Sequence, residues 1–223
     1  MHPDLLLMLL ADARLPVAGH TQSGSLEPAV VRGLGAAEVP AYLRLRLRTV
    51  VTVDAGTAVV ARALVDSHGA AAGLGVLDRA WAARTSSPAL RDAARGQGRA
   101  LLRLTERLWP QGPGATALRA VESPPRAVVL GALACDLGLP GPALARLVGY
   151  DDVQTVCAAA LKLVPLDPAV VTGWVRDALP RIEEMAESVA GLSEPDQVPA
   201  TGAPQIEVWA QAHAHTTRRL FRA

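Results

Sequence analysis

The side chains best suited to chemistry lie in one short segment near the start of the chain, Asp12 to Glu27, which reads DARLPVAGHTQSGSLE. Within it, His20 and Ser23 stand three positions apart, a base and a hydroxyl that a hydrolase or transferase could pair for nucleophilic attack. Pro16 and the glycines favour a loop over a helix. Because loops on a rigid scaffold often carry function, this segment is the first candidate site.

Two other interpretations of the segment stay open. Its polar side chains could form a recognition surface, or the loop could be architectural, with Ser23 capping a helix that begins near Ser25. Catalysis lacks its usual framework, because there is no GxSxG nucleophile elbow and no serine three positions before Lys162, the only lysine. His68 could replace His20 as the base. A small-molecule hydrolase or transferase using the His20–Ser23 loop therefore remains the alternative function.

Signals for metals and nucleotides are weak in the rest of the sequence. His213 and His215 are two positions apart, and such residues on a helix point in different directions, so they do not close a metal site by themselves. Cys135 and Cys157 form no CxxC pair. A GxxxxGK[ST] phosphate-binding sequence is also missing. The sequence predicts no catalytic residue, no metal site and no cofactor of the chain's own.

Charge is balanced along the chain. The 22 basic and 21 acidic residues give a formal net charge of +1, without the basic patch that nucleic-acid binding needs. The acidic pairs Asp151–Asp152 and Glu183–Glu184 are expected to be first-turn and surface charges of helices. The apolar run Leu5–Leu10 is too short for a signal peptide or for the roughly 20 residues of a membrane helix. We expect a cytoplasmic protein that binds neither nucleic acid nor membrane.

The elements that must position these residues are predicted to be helices. Half of the residues are apolar but only 3% are aromatic, and a core of Ala, Leu and Val suits closely packed helices. A capping residue followed by proline marks helix starts at Ser87–Pro88, Ser123–Pro124 and Asp167–Pro168. The run LRLRLR alternates like a strand, but its neighbours continue at helical spacing. We therefore predict one helix over Pro40–Asp66.

The fold predicted is all-α, a single helical domain of about eight to ten helices over residues 1–190, with a flexible C-terminal tail. The other predicted helices are Met1–Ala11, Ser25–Arg32, a helix carrying Leu77 and Arg84, Pro88–Trp109, helices that begin near Pro124, Pro142, Asp151 and Pro168, and Pro180–Ala190. Gly96 and Gly98 fall inside one of them. Each costs about 1 kcal/mol against alanine, which a close approach of two helices would explain.

The C-terminal part has a different composition. Residues 191–205, GLSEPDQVPATGAPQ, contain three prolines and almost no large apolar side chain, which is typical of a flexible or extended linker. Residues 206–223 then carry Trp209, Leu220 and Phe221 among arginines. A tail with such anchors is expected to bind a partner. It should also be removable from Gln205 onward without unfolding the body.

Four segments in this order resemble the urease accessory protein UreF family: RLPVAGHTQSGSLE, ARGQGRALLRL at 94–104, LKLVPL at 161–166 and the terminal RRLFRA. The family's opening pattern reads approximately SLPVGGFSYSQGLE or RLPxGxHxHSGGxE. The four segments span nearly the whole chain. Each is moderately specific, and their common order makes chance agreement improbable.

The resemblance implies a non-catalytic, dimerising all-α scaffold that helps to insert nickel into apo-urease. It implies binding to UreD, also called UreH, and recruitment or regulation of the GTPase UreG, so that GTP is bound by the partner and nickel is handled by the complex. The partner-binding residues that it implies come from the matching segments: Pro16, Gly19, His20, Gln22, Ser23, Glu27, Lys162, Pro165, Arg218, Arg219, Leu220, Phe221 and Arg222.

Overall fold

Helices form the regular structure of the described residues, which are 2–17, 19–67, 70–217 and 219–221 of a computed structural model, and no strand occurs among them. The α-helices are α1 (Pro3–Leu10), α2 (Leu26–Val31), α3 (Val39–Arg48), α4 (Val50–Asp66), α5 (Ala70–Arg84), α6 (Pro88–Leu108), α7 (Pro113–Leu118), α8 (Arg126–Asp136), α9 (Gly141–Leu163), α10 (Pro168–Val189) and α11 (Pro204–Ala214). The prediction of an all-α single domain is confirmed. Within the described part of the chain, no helix is both long and apolar enough to span a bilayer.

Helix α4 lies at the centre of the core, with α5, α8 and α9 packed against it. Its small residues let the neighbouring backbones come close. A Cβ atom on Gly131 of α8 would lie 2.2 Å from the carbonyl oxygen of Ala58, so only glycine fits at this crossing. The same reasoning holds for Gly98 of α6, where a Cβ would lie 2.0 Å from the carbonyl oxygen of Pro124. The expected close approach is confirmed there, whereas Gly96 meets only the end of the Arg99 side chain.

The predicted helix Pro40–Asp66 is two helices, α3 and α4. Thr49 separates them with φ −127° and ψ −99°, outside the helical region. The LRLRLR run is helical as predicted, and its buried members follow helical spacing: Leu43, Arg46 and Leu47. The helix break carries no glycine or proline, and no local signal in the sequence marks it.

Two predicted helix starts are wrong, because both fall inside longer helices. Asp151 lies in the middle of α9, where its carboxylate pairs with Arg126 at 3.1 Å instead of capping a first turn. Pro180 lies inside α10. Proline costs a helix one hydrogen bond, but α10 continues through it because Ala178 and Ile182 are buried on both sides of the proline. Packing against α9 thus overrides the local signal.

Two of the three capping signatures are confirmed. The Ser87 hydroxyl accepts the N–H of Leu90, and Asp167 accepts the N–H of Ala169 at 2.8 Å. The helix start predicted at Ser123–Pro124 comes too early in the chain, because Ser123 has φ +48° and α8 begins only at Arg126. Helix α7 was not predicted from the sequence. Its first turn is capped from a distance by Asp136 of α8, which accepts the N–H groups of Gly114 and Ala115.

The C-terminal part is packed onto the body, which differs from the expectation of a flexible linker and a detachable tail. Val198 is buried, and its carbonyl oxygen accepts a hydrogen bond from Arg84 at 2.7 Å. The Thr201 hydroxyl donates to the carbonyl oxygen of Thr49. Helix α11 packs against α2 and α6 and buries Ile206 completely. Truncation at Gln205 would therefore open the core rather than leave the body intact.

Candidate functional site

Glu27 of α2 is the point where the first and last segments of the chain meet. Its side chain is buried, and its two carboxylate oxygens accept the main-chain N–H groups of Leu220 and Phe221 at 2.7 and 2.8 Å. A carboxylate that accepts two N–H groups makes charge-assisted bonds, which are about twice as strong as neutral ones. Glu27 therefore holds the end of the chain against the body.

His213 and Lys162 complete this arrangement. The Nε2 atom of His213 lies 3.2 Å from a Glu27 oxygen and 3.2 Å from the carbonyl oxygen of Phe221. Since both oxygens are acceptors, the hydrogen-bond network assigns a hydrogen to Nε2. The Lys162 ammonium lies 5.2 Å from the centroid of the Phe221 ring, a cation–π contact. We call Glu27, Lys162, His213, Leu220 and Phe221 the tail clamp.

The clamp separates two of the three apolar residues predicted to be tail anchors, Leu220 and Phe221. Phe221 is 4% exposed and packs inside the chain's own core, whereas Leu220 is 61% exposed. Leu220 thus faces outward although its main chain is held. Of the arginines around them, Arg219 is exposed, and Arg218 and Arg222 lie outside the described residues.

The opening loop contains both exposed and buried members of the predicted site. Pro16 and His20 are exposed and Gly19 is half-buried, whereas Gln22 and Ser23 are buried. The Ser23 hydroxyl accepts the N–H of Glu27 at 3.3 Å, so the predicted capping role is confirmed. Because Ser23 is completely buried, a substrate cannot reach its hydroxyl in this conformation, which weakens the hydrolase alternative. His68, the other candidate base, lies outside the described residues.

Arg46 holds the opening loop in place. Its guanidinium donates to the carbonyl oxygen of Gly24 at 2.7 Å and makes a bidentate pair with Asp152, at 2.9 and 2.5 Å. Tyr42 donates its hydroxyl to the same Gly24 oxygen at 2.6 Å. Burial alone would lower the pKa of Arg46, but the Asp152 carboxylate raises it above its ordinary value. Burial raises the pKa of Tyr42 to about 12, so both donors keep their hydrogens at neutral pH.

No pattern in the sequence predicts this support. Arg46 and Asp152 are 106 positions apart, and Asp151–Asp152 was expected to be a pair of helix-terminal charges. The structure corrects this, since both aspartates sit mid-helix and pair with arginines on other helices. The other acidic pair fits the expectation, because Glu183 and Glu184 make exposed ion pairs on the surface of α10.

The remaining predicted residues lie at the surface or are separated. Lys162 and Pro165 are exposed at the end of α9 and just beyond it. His213 is buried in the clamp while His215 is exposed and lies 3.4 Å from the Gln211 amide, so the two histidines do not share a site. Among the described residues, no group of three His, Cys, Asp or Glu is placed to hold a metal ion.

Comparison with known proteins gives a family. The model of the UreF family matches residues 34–178, well over half of the chain. The chain belongs to the UreF family. Relatives named urease accessory protein UreF include those of Mycobacterium sp. (strain JLS), 37% identical with 96% of each chain covered, and of Mycolicibacterium vanbaalenii, 37% identical with 96% covered. The UreF of Mycobacterium marinum is 35% identical with 97% of each chain covered.

The fold brings together three of the four segments that resemble the UreF family. Glu27 comes from the opening loop, Lys162 from LKLVPL and Phe221 from the terminal segment, and all three meet in the tail clamp. The fourth segment lies on α6, which packs against α11 and so supports the clamp indirectly. The sequence order of these segments could not show this convergence.

Proposed function

We propose that this UreF-family protein is a non-catalytic scaffold for nickel insertion into apo-urease. In this role it binds UreD/UreH and the urease apoprotein and recruits or regulates the GTPase UreG, acting as a homodimer in the cytoplasm. The tail clamp is the observation that carries the proposal. It gathers three of the four family-like segments of the chain into one structure, around which Lys162, Arg219 and Leu220 are exposed.

The exposed members of the predicted site form the partner-facing surface, and the buried members hold it in shape. Leu220, Arg219 and Lys162 are exposed around the clamp, and Pro16 and His20 are exposed on the opening loop. The buried members have internal bonds: Ser23 caps α2, and Glu27 fixes residues 220 and 221. Their substitution should therefore affect partner binding through the shape of this surface rather than by loss of a direct contact.

GTP and nickel belong to the complex in this proposal. The chain lacks a phosphate-binding loop sequence, so GTP is bound by the partner GTPase. Nickel is the cargo of the assembly rather than a resident cofactor. The scaffold's contribution is to hold its partners in a fixed arrangement, and we expect no turnover by the isolated protein.

Leu220→Glu tests the proposal at the most exposed apolar residue of the clamp. Since the side chain is 61% exposed and points outward, the substitution should leave the fold intact while placing a charge in an apolar contact. We expect co-purification with UreD to be lost. A matched control is Leu179→Glu on α10, where the leucine is 47% exposed and binding should persist. Equal recovery of UreD by wild type and Leu220→Glu would contradict the proposal.

A further inference from the structure

Helix α1 has an apolar side that faces solvent. Its other side carries the buried Leu6 and Leu10 and packs onto the body, where α9 is a neighbour. The outward side chains are Leu5, Met8 and Leu9, all exposed. A helix that is apolar on both sides is typical of an element that is covered on both sides. Within the described part of the chain, only the side of α1 that carries Leu6 is covered.

The exposed residues of α1 have the spacing of a single binding face. They stand at positions i, i+3 and i+4, which on an α-helix fall within an arc of about 100°. Each of the other described helices exposes at most two large apolar side chains, and the two on α10, Val170 and Leu179, are nine positions apart. Single exposed apolar residues are normal on a protein surface, whereas a contiguous apolar patch marks an interaction site.

A short hydrogen-bonded turn joins α1 to the opening loop of the partner-facing surface. Asp12 follows the helix, and its carboxylate accepts the main-chain N–H of Arg14 at 2.9 Å and binds the Arg14 guanidinium at 2.6 Å. The N–H of Leu15 donates to the Asp12 carbonyl oxygen at 3.0 Å. The next residue is Pro16, which is exposed and was predicted to bind a partner. The turn therefore holds the apolar face of α1 near the opening loop.

Helix α9 connects α1 with the tail clamp. It packs against α1, and its last turn carries Lys162, a member of the clamp. The short helical turn Gly19–Thr21 of the opening loop also packs against α9, as does α2, the helix that carries Glu27. The apolar helix, the opening loop and the clamp are thus arranged on one helix of the body.

The surface proposed for UreD needs more apolar area than the clamp offers. A specific protein–protein interface uses about 20–30 residues a side, around an apolar centre. Among the predicted partner-binding residues that the structure describes, Leu220 is the only large apolar side chain that is exposed. The outward side chains of α1 supply three more.

We propose that α1 is a ligand helix, whose Leu5, Met8 and Leu9 insert into an apolar groove of UreD, the partner assigned to the tail clamp. Helices recognised in this way present anchors at i, i+3 and i+4 to a hydrophobic groove. Met8 suits such a contact, because an unbranched thioether side chain adapts to an irregular surface. Asp4, the only charged residue of α1, belongs to the polar rim. The inference rests on the proposed function, since it takes UreD as the partner.

Oxidation of Met8 in the wild-type chain tests the contact without any substitution. Met8 is 69% exposed, whereas Met185 of α10 is buried and serves as the internal reference. Hydrogen peroxide should convert Met8 to its sulfoxide in the free chain. We expect saturating UreD to slow this conversion at least severalfold, as measured by mass spectrometry of the N-terminal peptide. An equal rate of Met8 oxidation in the free chain and in the complex would overturn the proposal.

Met8→Glu places a charge in the same contact without disturbing the core. The affinity for UreD, measured by titration calorimetry, should fall by about tenfold or more. Leu179→Glu is the matched control, because it adds the same charge at an exposed apolar residue of α10, and it should bind UreD as the wild type does. Met8→Ala adds no charge and should weaken binding in the same direction, by a smaller factor. Circular dichroism of each variant checks that the helical content is kept.

The results separate this inference from the proposed function. If the wild-type chain does not bind UreD, both are overturned. If Leu220→Glu loses UreD while Met8→Glu and Met8→Ala bind it as tightly as wild type, only the role of α1 is overturned. Light scattering of the free chains identifies the other occupant: a smaller oligomer for Met8→Glu, with unchanged affinity for UreD, would show that this face joins two copies of the chain instead.

Discussion

Replacing Glu27 by glutamine should release the end of the chain from the body without unfolding it. Glu27 accepts two main-chain N–H groups, from Leu220 and Phe221. Glutamine keeps one acceptor oxygen. Its NH₂ group takes the place of the other oxygen and faces a main-chain N–H, so that two donors meet. One charge-assisted bond is lost, worth about 1.5–3 kcal/mol, and a buried N–H is left unpaired. The free energy that holds residues 220 and 221 should fall by about 2 kcal/mol or more.

Amide hydrogen exchange measures this loss directly. About 2 kcal/mol corresponds to roughly thirtyfold faster exchange through local opening. We expect this acceleration at Leu220 and Phe221, while amides in the centre of α4 keep their protection. The midpoint of global unfolding should change less, because the Glu27 carboxylate bonds only to the N–H groups of residues 220 and 221 in that segment.

Glu38→Gln provides a matched control for the effect of Glu27→Gln. Glu38 also accepts a main-chain N–H, that of Gly35 at 2.8 Å, but it is exposed and is not a member of the tail clamp. Its substitution should leave exchange at residues 220 and 221 unchanged. Unaltered protection of those two amides in Glu27→Gln would show that the carboxylate does not hold the tail.

Two further predictions concern stability and are measured by urea unfolding. Arg46→Ala should destabilise the protein by about 3–5 kcal/mol, because it leaves the buried Asp152 carboxylate unpaired; a loss below about 1 kcal/mol would show that solvent reaches the pair. Gly98→Ala should cost about 1–3 kcal/mol, since its Cβ would lie 2.0 Å from the backbone oxygen of Pro124. Gly173→Ala in α10, where a Cβ meets nothing within 4 Å, should instead stabilise by about 0.5–1 kcal/mol, and equal effects of the two changes would contradict the close-packing argument.

Local signals in the sequence were sufficient for the fold class and for many helix ends. Ser87 and Asp167 cap helices as their types and the following prolines indicate, because capping depends on residues a few positions away. The same local signals gave wrong helix ends where packing between helices determines the structure. Pro180 stays inside a helix because its neighbours are buried, and Thr49 breaks one without any turn residue.

The candidate site depends on contacts that cross almost the whole chain. Glu27 and Phe221 are 194 positions apart, and no periodicity relates them. The linker prediction failed for a similar reason, since a segment rich in proline and glycine needs only a few buried residues, such as Val198, to be held in place. Resemblance to the family drew attention to the segments that meet in the tail clamp, but only the fold showed that Glu27 and Phe221 face inward while Leu220 faces out.

We propose that this UreF-family protein acts by holding other proteins together. Size-exclusion chromatography of the chain mixed with UreD and the GTPase UreG, in the presence of GTP, tests it most directly. We predict that all three proteins elute together at a larger size than any one alone, and that Leu220→Glu removes UreD from this peak while Leu179→Glu does not. Elution of the wild-type chain alone, with both partners in separate peaks, would show that it is not such a scaffold.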